Sequence, residues 1–222
     1  NLIKEDGIII TEDPSLLEML KKNAYDQVYA EHMYIWSLSA MKNLLNRFGL
    51  EVFDIENNEF HGGCSRYFIS KKNRHKISPN VTNHQKKEDD FGLKKLETYL
   101  KFKNNVLKSK LELVNLLKSL KSENKTIVGY GAPAKSTTIL NFCGIDSNLI
   151  EKIFDNSITK IGKKTPGMSL INIVDSNEFK NFKSDYCILF AWNHKKEILE
   201  KEKDYTSNNG RWIIPVDKIE VI

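Results

Sequence analysis

The stretch TIVGYGAPAKSTTILNFCG, residues 126–144, passes from a β-branched apolar run through a glycine-rich turn into a helical pattern that closes on glycine. Buried strand, turn and helix in that order belong to a parallel sheet, because parallel strands need a crossover long enough to lay a helix on the sheet face. The alternation continues downstream. IEKIFD (150–155) and DYCILFAW (185–192) read as strands, HKKEILEKEK (194–203) as a helix and RWIIPV (211–216) as a final strand. Residues 123–222 therefore predict a doubly wound α/β unit.

Within it, GYGAPAKS (129–136) lies where parallel sheets place phosphate-binding turns, at a helix N-terminus whose amides and dipole favour an anion. Gly129, Gly131 and Lys135 are the candidate phosphate contacts. The dinucleotide fingerprint fails at its third glycine, which is Ala134, and the Walker arrangement fails because no glycine precedes Lys135, so neither NAD nor ATP is specified. Asp155, ending the next strand, stands where an acidic residue contacts a ribose. The alternative, that Gly129 and Gly131 serve only a tight turn, stays open.

Upstream, residues 91–120 carry Leu93, Leu96, Leu100, Val106, Leu107, Leu111, Val114 and Leu117 as a helical stripe with lysines opposite, which predicts a long helix bridging two domains. Residues 71–90 are polar, lysine-rich and without apolar periodicity, and read as a linker. Before it, GIIITEDP stops a strand at Pro14. A short helix follows with Asp13 as N-cap and Pro14 at its first position. SLSAMKNLLNRFG (37–49) predicts a helix with Leu38, Met41, Leu44, Leu45 and Phe48 on its apolar stripe and Gly49 as its stop. LEVFDIEN (50–57) and SRYFIS (65–70) predict two strands around the loop NEFHGGC. This order suits the closing part of a mostly parallel α/β sheet with an antiparallel edge. The organisation expected is 1–75, 76–122 (linker and bridging helix) and 123–222.

At 222 residues, 40% hydrophobic and 28% charged, the chain reads as globular and soluble. Its apolar runs are too short to span a bilayer and its N-terminus lacks the order of a secretory signal, so a cytoplasmic location is expected. Cys64, Cys143 and Cys187 have no metal-ligand spacing and predict reduced, core or near-core thiols, with no metal site. The net charge of +5 comes from dispersed lysines, which argues against nucleic acid and fits an anionic small substrate. YAEHMYIWS (29–37) sets a carboxylate and an imidazole, Glu31 and His32, inside an aromatic run; a surface turn and a reactive site are both compatible with that.

YAEHMYIWSLSAM, HGGCSR, GYGAPAKSTTILNFCGI, PGM and AWNHKKEI occur in the order of similar motifs in the sugar C-methyltransferases, and over its whole length the chain resembles that family. These are S-adenosylmethionine-dependent enzymes of deoxysugar biosynthesis that methylate carbon 3 of nucleotide-bound 4-keto sugars. The resemblance covers the end of the central class I methyltransferase domain and the whole C-terminal Rossmann-like domain. The zinc module and the cofactor turn have no counterpart here, so the chain reads as a fragment, with S-adenosylmethionine bound mainly by residues it does not contain.

The resemblance implies that His32 is the base that removes the hydrogen beside the ketone, that Glu31 is its partner or a positioning acid, and that Tyr29 is a hydroxyl near the sugar. An imidazole suits this task because a base works best with a pKa near the working pH. The aromatic run would exclude water. It also places His61, Gly62, Gly63 and Arg66 near the nucleotide sugar, with Arg66 as a pyrophosphate or edge-strand contact, and Trp192 and Asn193 at the ligand edge of the last sheet. The chain departs from the family at Ala30, where a histidine is usual. A non-catalytic nucleotide-sugar-binding module is the alternative and an oxidoreductase the third reading; a Cys-x-x-Cys pair and a Gly-x-Gly turn upstream would favour the enzyme. The oligomeric state is left open.

Overall fold

The structure, a computed structural model, describes residues 3–222, with His61 described by its backbone alone. Two compact units form, one of Asn1–Ala24 and His32–Lys103, the other of Tyr25–Glu31 and Asn104–Ile222.

The first unit holds β1 (Ile9–Pro14), α1 (Leu16–Lys21), α2 (Leu38–Asn46), β2 (Leu50–Asn58), β3 (Cys64–Lys71) and α3 (Pro79–Phe91). Its sheet has the order β1-β3-β2, and both pairings are antiparallel. Leu38, Met41 and Leu45 of α2 pack with Val52, Ile55, Tyr67, Ile69 and Val81. Pro14 is the last residue of β1 rather than the start of the helix, and Ser15 is the N-cap of α1. An edge strand tolerates proline at its end, since the missing N–H breaks no ladder. Leu44 and Phe48 are exposed, against expectation. Helix α2 ends at Asn46, so Phe48 lies past the point where helical spacing holds it to the core face.

The stretch expected as a linker contains α3. Ser78 caps it, Pro79 sits in its first turn, and Gly92 closes it at φ 84°. Its buried residues are Val81, His84 and Glu88, so two of the three are polar and no apolar period appears. The long helix expected over 91–120 starts later, after the Gly92 stop, and α4 runs unbroken over Leu96–Ser122. Leu113, Leu117 and Leu120 are its buried leucines, whereas Leu96, Leu100, Leu107 and Leu111 of the anticipated stripe are exposed.

The second unit continues with β4 (Ile127–Tyr130), α5 (Ala134–Cys143), β5 (Lys152–Asp155), β6 (Asn172–Asp175), β7 (Tyr186–Leu189), α6 (Lys195–Lys201), α7 (Lys203–Ser207), β8 (Arg211–Ile214) and β9 (Glu220–Val221). The strand order is β6-β5-β4-β7-β8-β9, parallel except for β9. This is the Rossmann-like α/β architecture. The chain winds outward from β4 to β6, then returns to β7 on the other side of β4, which opens a crevice at the carboxyl ends of these two strands. The core collects Val128, Tyr130, Phe154, Phe179, Cys187, Leu189, Trp212 and Ile214. The single helix anticipated over 194–203 is broken at Glu202, whose buried carboxylate accepts the Tyr130 hydroxyl at 2.8 Å. Strands β6 and β9 had not been singled out. The three cysteines are buried and in no disulfide, as expected. Among the described residues no helix is long and apolar enough to cross a membrane.

Candidate functional site

In the second unit the glycine turn is shaped by close packing. A Cβ on Gly129 would come within 2.7 Å of the Phe190 ring and 2.9 Å of Ile153 Cγ1, so this position admits only glycine for reasons internal to the sheet. Gly131 has φ +80°, and a Cβ there would lie 2.8 Å from Ala191 Cβ. It borders a cavity of about 450 Å³ at the carboxyl ends of β4 and β5, together with Asp155, Ser157, Lys160, His194 and Lys201. Among the described residues, Gly129, Lys135, Trp192 and Asn193 do not line it. A larger cavity of about 790 Å³ lies beside the amino ends of β4 and β7, against Thr126, Phe182, Asp185 and Tyr205. Open α/β sheets bind at the opposite edge, and none of the candidate residues lines this second cavity.

Lys135 is 3% exposed, and its Nζ sits 4.8 Å from the centre of the Trp192 ring. The Trp192 indole donates to Asp26 Oδ2 at 2.6 Å. Asp26 is fully buried, and burial pushes its carboxyl up to about 6, against the pull of the Trp192 bond and the Lys135 charge. Sequence reasoning passed over Asp26, because an aspartate in a polar-aromatic segment gives no sign of where it is buried. A raised carboxyl binds its proton more tightly in the folded state, so its cost is absent below the ordinary value of 3.8 and fully present above about 6. Stability measured by urea denaturation is therefore expected to fall by about 3 kcal/mol from this group as pH rises through that window. Asp26→Asn should flatten that part of the profile, and an unchanged slope would contradict the assignment.

In the first unit, Asp13 lies near His32: burial raises the Asp13 carboxyl, and the Thr11 bond and the His32 charge partly offset this. His32 is half-buried and Glu31 exposed. Met33 and Tyr34 are 79% and 66% exposed, so the run's own side chains do not make the dry surround expected of it. The Tyr34 ring turns to Trp36, 5.5 Å away, and Trp36 is held through its carbonyl by the Leu16 amide. Tyr29 is half-buried. Gly62 and Gly63 both have positive φ, at 98° and 125°. They press on α1: Lys22 Nζ donates to the Gly62 carbonyl at 2.9 Å, and a Cβ on Gly63 would meet Glu18 Cβ at 2.7 Å. The His61 side chain lies outside what the structure describes.

Arg66 departs from expectation. Strand β3 is the central strand, and the cross-strand partners of Arg66 are Glu12 and Glu56. Its guanidinium lies 2.8 Å from Glu12 and 3.3 Å from Glu56. Two carboxylates thus already neutralise the charge that a pyrophosphate would need.

A cofactor of the S-adenosylmethionine type needs a glycine turn open to the ligand and an acid free to take ribose hydroxyls. Here Ala191 approaches the turn, and both Asp155 oxygens are engaged, Oδ2 by the Ala132 amide at 2.6 Å and Oδ1 by the Ser157 amide at 2.7 Å. The turn of this chain does not fit such a group. Among the described residues no cluster of three or more His, Cys, Asp or Glu side chains is arranged to hold a metal ion.

A mostly parallel sheet with reversed winding and a cavity at its carboxyl edge define a Rossmann-like domain, one whose glycine turn is closed to a dinucleotide. Residues 59–217 match the family described as C-methyltransferase C-terminal domain, and the chain belongs to that family. It is 32% identical over all 222 residues to the C-methyltransferase NovU of Streptomyces niveus, and it spans 53% of that relative's length.

Proposed function

We propose that this chain is the substrate-handling part of an S-adenosylmethionine-dependent C-methyltransferase acting on a nucleotide-linked 4-keto deoxysugar. The family match across both units carries this reading. His32 takes the proton from the carbon beside the ketone, leaving an enolate as the carbon nucleophile. Glu31 and Tyr29 position the imidazole and the sugar. The methyl donor is held by residues outside this chain. The nucleoside diphosphate lies in the cavity beside Gly131, where Lys160 supplies positive charge; Lys201, also on the lining, is already paired with Glu202 at 3.2 Å. Lys160 already donates to the Ala132 carbonyl at 2.8 Å, which holds it at the rim of the cavity.

Two measurements on the chain test this. A nucleoside diphosphate at millimolar concentration is expected to raise the melting temperature by roughly 3–5 °C, if it binds at about 0.1 mM. Calorimetric titration with S-adenosylmethionine is expected to show no micromolar binding. A melting temperature unmoved by a panel of nucleoside diphosphates and their sugars removes the substrate site. Micromolar binding of the sulfonium compound removes the division of labour.

A further inference from the structure

The candidate residues Tyr29 and Glu31 do not group with the antiparallel unit that surrounds them in sequence. Residues Tyr25–Glu31 belong with the Rossmann-like unit. Three contacts hold them there. The Tyr25 hydroxyl lies 3.6 Å from Cys143 Sγ, and its ring packs on Phe142 at 5.4 Å. The Thr138 hydroxyl donates to the Val28 carbonyl at 2.8 Å. Between them, Asp26 takes the Trp192 indole N–H at the ring edge, and Lys135 Nζ lies over that ring, 4.8 Å from its centre.

The first contact is packing and the second a single hydrogen bond at the surface, whereas the third is costly. A carboxylate with no exposure, whose Oδ1 accepts no hydrogen bond, would be replaced at a gain by an apolar side chain if holding the fold together were its only task. Such groups persist where geometry matters more than stability. The arrangement also accounts for Lys135, which is buried in α5 and directed to Trp192 rather than to the cavity beside Gly131.

We propose that Asp26 is a positioning residue: held by Trp192 and the Lys135 charge, it fixes the segment 25–31 to the Rossmann-like unit, so that this unit presents Tyr29 and Glu31 to the substrate. Lys135 and Trp192 are then parts of this anchor and not phosphate or sugar contacts. The role of Asp26 in turnover rests on the function proposed above; the anchor itself does not.

Hydrogen exchange over residues 25–31 of the chain tests the anchor without any substrate. Trp192→Phe, which keeps a ring and removes the donor, is expected to speed exchange there at least tenfold while the β4–β8 amides stay protected. Asp26→Ala should do the same, and Asp26→Asn, which keeps an oxygen facing Trp192, should recover most of the lost protection. If Asp26→Ala does not fold, Trp192→Phe decides. Unchanged exchange in Trp192→Phe, or no recovery in Asp26→Asn, overturns the anchor. In an enzyme joining this chain to a cofactor-binding portion, Trp192→Phe is expected to lower kcat at least tenfold with little change in KM. Faster exchange with unchanged kcat would leave the anchor standing and overturn the positioning role, and with it the place of Tyr29 and Glu31 in the site.

Discussion

His32→Ala, in an enzyme that joins this chain to a cofactor-binding portion, is expected to lower turnover about 10²–10⁴-fold while nucleotide-sugar affinity stays close to that of the parent. A general base acts mainly in the transition state, so its removal affects kcat and leaves ground-state binding nearly intact. Glu31→Gln separates the two roles open to the carboxylate: a small loss means that it orients His32, and a loss equal to that of His32→Ala means that it moves the proton itself. Exchange of the substrate's carbon-bound hydrogen with deuterated solvent reports the base directly and should vanish in His32→Ala. Near-normal turnover in that variant would move the base elsewhere, with Tyr29 and His61 next to test.

The second large effect is one of stability. Glu88 of α3 is 1% exposed and reaches across to the start of α2, where its carboxylate accepts the Leu38 amide at 2.6 Å and the Ser39 amide at 3.2 Å. The Ser37 hydroxyl takes the Ala40 amide at 3.1 Å, and Met41 bonds the Ser37 carbonyl, so the first four amides of the helix are all paired. Helix α2 therefore has half of its N-cap supplied from another helix. His84 approaches the same carboxylate at 3.4 Å. Glu88→Ala is expected to cost about 3–5 kcal/mol, because it leaves buried donors without an acceptor. Urea denaturation checks this, and a loss under about 1 kcal/mol would show that the amides find water instead.

Acid should reproduce part of that loss. Burial pushes the Glu88 carboxyl up, but the donors from His84, Leu38 and Ser39 together outweigh it and hold the group below its ordinary 4.5. A lowered carboxyl contributes stability that is complete above the ordinary value and disappears as pH falls through the folded one. Glu88→Gln should remove this acid sensitivity.

The Rossmann-like unit was legible along the chain because its strands are short, apolar on both faces and adjacent to the turns that end them, so each carries its own signal within a few residues. Local chemistry of the glycine turn, with Ala134 in place of the third glycine, specified neither NAD nor ATP; that Ala191 and the engaged Asp155 close it to a dinucleotide is visible only in the fold. The motifs around His32 named the residues to examine, but not their surroundings: whether an aromatic run is dry depends on what packs against it, and Met33 and Tyr34 face solvent.

Helix α3 was missed because its inward face carries His84 and Glu88, polar groups whose burial is compensated by α2 and β2 partners far away in sequence. Arg66 looked like a free cation until the register set Glu12 and Glu56 on either side of it. Asp26 gave no sign at all, since the indole that pairs with it lies 166 residues along the chain. Apolar spacing is written locally, so the sequence by itself determined the four strands β4, β5, β7 and β8 and the helix α5 of the second unit, but not β6, β9 or the break at Glu202. The pairing of buried charges is a property of contacts between distant segments, and only the tertiary structure decided it.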